Sequence, residues 1–143
     1  MIVSSKGRYA LRMMIDLARH NTGEWTALKD ISARQDISIK YLEQIVGALG
    51  KAGLLRSMRG PQGGYQLARP AEKYTVGEIL RAIEGPLAPV ACLENEHNQC
   101  ARFSGCPTIG FWQGLAKCVD EYVDATTLQQ LADEANTACD YSI

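Results

Sequence analysis

Apolar residues in the first part of the chain recur at the spacing of amphipathic helices. Residues 8–20 are predicted to form a first helix, whose apolar face consists of Ala10, Met13, Met14, Leu17 and Ala18. Residues 21–23 include asparagine and glycine, which are predicted to end that helix. Thr26 is expected to cap a short second helix that places Leu28 and Ile31 on one face.

A tight turn at residues 36–38 leads into a third predicted helix, which Ser38 caps and which runs to about Ala52. Its apolar face follows the i, i+3, i+4, i+7 pattern and consists of Leu42, Ile45, Val46 and Leu49. Its opposite face carries Lys40, Glu43, Gln44, Gly47 and Lys51. Short helix, tight turn and longer helix together predict a helix-turn-helix motif. For this segment alone, an ordinary surface helix with a solvated face is the alternative.

The next residues predict a β-hairpin with a glycine-rich tip. Residues 54–58 and 65–68 have the pattern of its two strands, and the sequence RGPQGG connects them. Glycines let the backbone approach a phosphate or a groove wall, and Arg59 is placed to enter a narrow minor groove. The tip lacks the GxxxxGK[ST] pattern of nucleotide-binding loops. Directly after a helix-turn-helix, such a hairpin favours a winged helix.

The remaining residues predict three more helices. Thr75 and Glu78 form a capping box for a helix that closes the winged domain. Pro107 is expected in the first turn of a long helix, whose apolar stripe consists of Phe111, Leu115, Val119 and Tyr122. That stripe is expected to pair with the same helix of a second copy, although folding back onto its own domain is the alternative. Thr127 and Gln130 are expected to cap a short final helix.

These elements predict a mainly α fold with a small β-hairpin wing, that is, a winged helix-turn-helix plus a long C-terminal dimerisation helix. Residues 1–85 are expected to form the winged DNA-binding domain and residues 86–106 a linker with a cysteine-rich sensor loop. Residues 107–143 are expected to form the dimerisation helix and a C-terminal tail.

Charge is distributed unevenly along the chain. Residues 1–75 contain 12 basic and 6 acidic residues, whereas residues 76–143 contain 3 and 10, which together give the net charge of −1. A basic first half is typical of a segment that meets a polyanion, although a chance split of surface charge is the alternative. The longest apolar patch, residues 9–18, is interrupted by Arg12 and Asp16, so no membrane span is expected.

The five cysteines are an odd number, which favours free thiols in a reducing cytoplasm over a disulfide framework. Three of them lie in residues 92–106, CLENEHNQCARFSGC. This segment is too polar for a core, and it predicts a metal or iron–sulfur sensor loop. Its C-x7-C-x5-C spacing has no CxxC pair, which argues against structural zinc. No nucleophile–base set is present, because His20 and His97 lie in unrelated contexts, so the chain is not expected to be an enzyme.

Three stretches of the chain resemble one known family. They are SSKGRYALRMMIDLA at the N-terminus, DISIKYLEQI in the helix-turn-helix, and GLLRSMRGPQGGYQLARP through the hairpin. They resemble the IscR/NsrR/CymR-type family of dimeric winged-helix transcription regulators of iron–sulfur, nitric-oxide and cysteine metabolism. The resemblance covers residues 1–90 closely and the later residues more loosely. It implies double-stranded operator DNA as the partner and a homodimer as the assembly.

The resemblance also implies a DNA-binding surface. The family's DNA contacts fall on Ser38, Tyr41, Glu43, Gln44, Arg59 and Gly60. By its chemistry Gln44 can pair with adenine and Glu43 with cytosine, and Lys40 can reach guanine or a phosphate. Lys40 departs from the small polar residue of close relatives, so we expect a different preferred operator.

Cys92, Cys100 and Cys106 resemble the three cysteines of the cluster-binding members, which implies an iron–sulfur cluster, 2Fe-2S in preference to 4Fe-4S. Family members take a fourth ligand from positions that correspond here to Ile109 or to Arg8, and neither side chain can ligate. His97 is the first candidate to replace them. Further candidates are Glu94, Glu96, Cys118, a partner-chain residue or a small molecule.

The expected function is therefore a dimeric transcription regulator whose operator affinity is controlled by the cluster and which governs iron–sulfur or cysteine/sulfur metabolism genes. One alternative is a cysteine-metabolism regulator controlled by cysteine synthase. It rests on the C-terminal tail of the chain, which is similar to tails that dock in that enzyme. This tail consists of Asp140, Tyr141, Ser142 and Ile143. A frayed tail is the competing interpretation of those four residues. The other alternative is a thiol-redox sensor without a cluster.

Overall fold

The computed structural model describes residues 2–95 and 101–141, with side chains described as far as Thr137. In these residues the fold is mainly helical with one hairpin, as predicted. The elements are α1 (Ser5–Arg19), α2 (Leu28–Gln35), α3 (Ile39–Lys51), β1 (Leu55–Met58), β2 (Gly64–Leu67), α4 (Val76–Glu84), α5 (Ile109–Ala125) and α6 (Leu128–Tyr141). None of the described helices is long and apolar enough to cross a bilayer.

One hydrophobic core joins the elements from α1 to α4, which we call the winged head. The predicted apolar faces of α1 and α3 both point into it. Its fully buried side chains include Met13, Met14, Ile31, Leu42, Ile45, Leu49, Tyr74 and Ile79. Ser38 and Thr75 cap α3 and α4 as predicted, the second through a complete capping box with Glu78.

The start of α2 differs from the prediction for Thr26. The N-cap residue is Ala27, and no side chain caps the helix. Thr26 instead forms a β-bridge with Tyr65, in which Thr26 N–H donates to Tyr65 O at 3.1 Å and Tyr65 N–H donates to Thr26 O at 2.8 Å. The strand-like pairing with the hairpin therefore overrides the capping preference of threonine.

A buried carboxylate fixes α2 on α1. Asp16 accepts hydrogen bonds from Arg34 Nε at 2.9 Å, Arg34 Nη2 at 2.7 Å and Gln35 Nε2 at 3.0 Å. Hydrogen bonding to Asp16 raises the pKa of Arg34, so this guanidinium stays charged. Arg12 in turn donates from Nε to Gln35 Oε1 at 3.3 Å. This network holds the first half of the helix-turn-helix in place.

The C-terminal helices also differ from expectation. Pro107 precedes α5 instead of lying in its first turn, because Thr108 is the N-cap residue. Thr127 and Gln130 cap α6 as predicted, with hydrogen bonds of 2.8 and 3.1 Å. However, α6 has 14 residues and packs on α1, so the prediction of a short final helix is wrong. Leu128 is fully buried in the core of the winged head.

Candidate DNA-binding surface and cysteine segment

The first two turns of α3 present polar side chains to solvent. Ser38 Oγ accepts the Tyr41 N–H at 3.2 Å and so fixes where the helix begins. Lys40, Glu43 and Gln44 are exposed, and their side chains form no hydrogen bond or ion pair with any residue in the described ranges. These three side chains are therefore available to a ligand that reaches the open face of α3.

Tyr41 is the exception among the predicted contacts in α3, because it is half-buried. Its ring stands edge-on to that of Tyr9, with centroids 5.5 Å apart and an interplanar angle of 79°. The guanidinium of Arg12 lies 5.3 Å from the centre of the Tyr9 ring. Through these contacts α1 supports the N-terminal turn of α3.

The hairpin projects beside α3 and carries Arg59 and Gly60 at its tip. Its strands are antiparallel, with Leu55 opposite Leu67 and Met58 opposite Gly64. Both tip residues are exposed, and Gly60 has a φ of 111°, which glycine adopts without strain. Arg59 contacts no partner among the described residues. A groove of about 390 Å³ separates the hairpin from α3.

The hairpin is tied to the loop before α2 by contacts that the sequence did not reveal. A Cβ atom at Gly64, which has a φ of 154°, would overlap the carbonyl oxygen of Thr26. Gln66 Nε2 donates to Gly23 O at 2.9 Å and Gln66 Oε1 accepts from Arg56 Nη2 at 2.9 Å. The Arg56 guanidinium lies 5.8 Å from the centre of the Trp25 ring. The hairpin is therefore held at a defined angle to the helix-turn-helix.

Internal pairing divides the basic residues of the winged head into two groups. Several arginines are engaged within the chain: Arg8 with Ser5, Arg12 with Gln35, Arg34 with Asp16, Arg69 with Glu78 and Arg81 with Asp120 and Asp124. Other cations have no partner in the described residues: Lys6, Lys29, Lys40, Lys51, Arg59 and Lys73. The second group supplies the positive charge that a polyanion can neutralise.

Two of the predicted cysteine ligands lie in the described residues. Cys92 is half-buried in a 3-10 turn, Ala91–Leu93, and Cys106 follows a second such turn, Phe103–Gly105. The Cys106 sulfur lies 3.5 Å from Thr108 Oγ1. Hydrogen bonds from the Thr108 side chain, the Thr108 backbone and the Ile109 backbone lower the pKa of the Cys106 thiol. The N-terminal end of α5 therefore favours a thiolate at Cys106.

The other predicted ligands are distributed differently. Cys100, His97 and Glu96 lie outside the described residues, and Glu94 is exposed. Cys118, the further candidate ligand on α5, is exposed in the single chain. Arg8, which stands at the position of a family ligand but cannot ligate, donates from Nη2 to Ser5 Oγ at 3.0 Å. Within residues 2–95 and 101–137, no three potential metal ligands lie together.

The predicted C-terminal docking tail overlaps a helix. Asp140 and Tyr141 belong to α6, which continues to Tyr141, whereas Ser142 and Ile143 lie outside the described residues. Half of the four-residue segment is therefore helical backbone.

A helix-turn-helix with an unpaired polar face, followed by a hairpin anchored beside it, defines a winged-helix DNA-binding protein. Residues 3–134 match the family described as "Rrf2: Iron-dependent Transcriptional regulator". The chain therefore belongs to the Rrf2 family of transcriptional regulators, and it is a DNA-binding regulator and not an enzyme.

Individual relatives span nearly the whole chain. "Protein rrf2" of Nitratidesulfovibrio vulgaris is 38% identical over 146 residues, which cover 99% of this chain and 97% of that protein. The structure of CymR, "the Global Cysteine Regulator of B. subtilis", superposes with a TM-score of 0.77 at 39% identity and covers 94% of this chain and 98% of that one. The structure of T. potens IscR gives a TM-score of 0.73 at 36% identity and covers 96% and 90% of the two chains.

Proposed function

We propose that this regulator binds its operator as a homodimer and that an iron–sulfur cluster held by Cys92, Cys100 and Cys106 controls its affinity for that operator. The observation that carries the proposal is the position of Cys106 directly before α5, where its sulfur lies 3.5 Å from Thr108 Oγ1 and hydrogen bonds from Thr108 and Ile109 lower the pKa of the thiol, as suits a thiolate ligand of iron. The description of the family as iron-dependent points in the same direction.

In the proposed complex with DNA, α3 enters the major groove and the hairpin tip enters the minor groove. Ser38, Lys40, Tyr41, Glu43 and Gln44 enter the major groove at the N-terminal turn of α3. There Gln44 can recognise adenine and Glu43 cytosine through their base edges. Arg59 and Gly60 enter the neighbouring minor groove. A two-fold dimer places its two α3 helices about 34 Å apart, one turn of DNA.

The dimer part of the proposal rests on the two faces of α5. Phe111, Leu115 and Tyr122 are 67%, 39% and 75% exposed, although all three are large apolar or aromatic residues. Val119 and Val123 lie on a different face and pack against α4. The exposed positions, with Cys118, are spaced alternately by three and four residues, which is the pattern of a coiled-coil seam. A second copy is the partner that such a seam fits.

The cluster part of the proposal concerns residues on both sides of the segment that is not described. Cys92 follows α4, Cys106 precedes α5, and Cys100 lies between them in sequence. Soft sulfur ligands suit iron and the sulfides of a cluster. When bound, an iron–sulfur cluster supplies a link between these segments that responds to iron supply and to oxidants. His97 is the proposed fourth ligand, because Ile109 and Arg8 cannot ligate.

The proposed domain organisation is a winged DNA-binding domain at residues 1–85, a linker with the cysteine segment at 86–106, and a dimerisation helix with the C-terminal residues at 107–143. Within it, α6 packs back on the winged DNA-binding domain. The regulated genes are proposed to serve iron–sulfur or cysteine metabolism, in line with the names of the relatives. Neither the structure nor the comparisons support the predicted partnership with cysteine synthase.

The proposal is tested by purifying the protein without oxygen, recording absorbance and Mössbauer spectra, and titrating an operator selected from random DNA with the cluster-bound and cluster-free forms. Cys92→Ser and Cys106→Ser are expected to lose the visible absorbance, whereas Cys139→Ser, at the one cysteine that is not a candidate ligand, is expected to keep it. Colour that persists in Cys106→Ser contradicts the ligand assignment. Equal operator affinity of both forms contradicts control by the cluster and favours the thiol-redox alternative.

A further inference from the structure

The long helix α5 is attached to the winged head through its C-terminal half. Val76 N–H donates to Thr126 O at 2.9 Å, and Leu128 N–H donates to Tyr74 O at 3.0 Å. Val119 and Val123 join an apolar cluster with α4. These contacts all lie at or beyond Val119, so they attach only the C-terminal part of α5 to the winged head.

Arg81 on α4 adds a polar attachment at the same two turns of α5 as Val119 and Val123. Its Nη1 donates to Asp124 Oδ1 at 2.7 Å, and its Nη2 donates to Asp124 Oδ2 at 3.2 Å and to Asp120 Oδ1 at 2.8 Å. A single planar guanidinium therefore bridges two carboxylates one turn apart on α5. The hydrogen bonds that Arg81 donates to Asp124 and Asp120 also raise its pKa, so the bridge stays charged.

Gly77 provides the space for this bridge. It lies one turn before Arg81 on α4 and is buried. A Cβ atom at Gly77 would overlap Asp124 Oδ1 and come within 2.7 Å of Arg81 Nη1. The absence of a side chain there lets α5 approach α4 closely enough for the two helices to share the guanidinium.

We propose that Arg81 is a positioning residue that fixes the angle between the winged head and α5 and thereby the half-site spacing that the dimer accepts. The inference rests on the proposed homodimer. A change of about 10° in that angle moves each recognition helix by about 3 Å if it lies about 17 Å from the two-fold axis, which is half of the roughly 34 Å between half-sites, so the separation of the two helices changes by about 6 Å. That change in separation exceeds the rise of one base pair, about 3.4 Å.

The test measures affinity for DNA duplexes in which two selected half-sites are moved together or apart one base pair at a time. The full-length chain is used in the form that binds the operator. The wild-type dimer is expected to lose affinity about tenfold or more for each base pair added or removed. Arg81→Gln, and the double variant Asp120→Asn with Asp124→Asn, are expected to vary less than about threefold across the same series. Both variants keep most of the affinity for the best spacing.

Arg69→Gln is the matched control, because Arg69 forms a comparable ion pair with Glu78 inside the winged head and is 39% exposed against 34% for Arg81. It is expected to keep the wild-type spacing profile. A wild-type profile in the folded Asp120, Asp124 double variant overturns the role of Arg81. Loss of spacing dependence in the wild type itself, with a monomer in sedimentation, overturns the homodimer and this inference with it.

Discussion

At the scale of single residues, substitution of Arg59 tests both the affinity for the operator and the selectivity for its bases. It is exposed at the hairpin tip with no partner in the described part of the chain, so its removal leaves the fold intact. Arg59→Ala is expected to weaken operator binding by about 1–3 kcal/mol and to relax selectivity for the bases under the hairpin. Affinities for the operator and for variants with altered flanking base pairs measure both effects.

The control for Arg59→Ala is Lys73→Ala. Lys73 is also an exposed cation without a described partner, but it lies in the turn Ala71–Lys73, which packs on α6. Its removal is expected to leave operator selectivity unchanged. If Arg59→Ala instead weakens binding equally on all DNA and lowers the salt slope by about 1, Arg59 contacts only a phosphate and does not read the minor groove.

Local residue chemistry could be read from the sequence, but long-range pairing could not. The caps at Ser38 and Thr75 depend on neighbours within three residues, and both are confirmed. Asp16, by contrast, is a carboxylate within an apolar face, and its partner Arg34 follows 18 residues later. No pattern in the sequence pairs these two residues, because their contact depends on how α1 and α2 pack.

At the scale of elements, the hairpin depends on Gly64. Its φ of 154° and the close carbonyl oxygen of Thr26 leave no room for a side chain. Gly64→Ala is expected to lower the free energy of unfolding by about 1–3 kcal/mol, because either the backbone is strained or the bridge to Thr26 opens. Operator affinity should fall as well, since the hairpin loses its fixed angle to α3. Chemical denaturation and operator titration measure the two effects.

Gly50→Ala provides the control for this change. Gly50 lies in α3, where a Cβ atom meets nothing within 4 Å. Because alanine is the better helix former, Gly50→Ala is expected to raise stability by about 0.5–1 kcal/mol. A Gly64→Ala protein as stable as the wild type would show that the hairpin tolerates a shift at Thr26.

The helices were predicted well where a regular spacing of apolar residues continues over several turns. They were predicted less well where contacts with other elements decide where a helix begins or ends. The apolar faces of α1 and α3 followed from periodicity and are confirmed. Thr26 was assigned to a cap because nothing in the sequence revealed its bridge to Tyr65. The length of α6 was underestimated, because its burial against α1 adds stability that its own sequence does not show.

At the scale of the whole molecule, α5 has two separate apolar faces. One face packs on α4, and the seam of Phe111, Leu115, Cys118 and Tyr122 faces solvent in the single chain. The sequence pattern predicted a single apolar stripe. It did not distinguish the residues that pack on α4 from those of the exposed seam. Val119, predicted to lie in the dimer stripe, packs instead on the winged head.

Leu115→Asp is therefore expected to separate the proposed homodimer without unfolding the winged head. A carboxylate in the middle of an apolar seam cannot be buried without a partner, so the two copies of α5 no longer associate. Sedimentation should show a monomer, and operator affinity should fall on the order of 100-fold because the half-sites are then bound independently. Gln113→Asp introduces the same charge at an exposed position off the seam, and it is expected to remain a dimer. A dimeric Leu115→Asp protein would mean that the two-fold axis lies elsewhere. The exposed seam would then require another partner, and the spacing set by Arg81 would lose its basis.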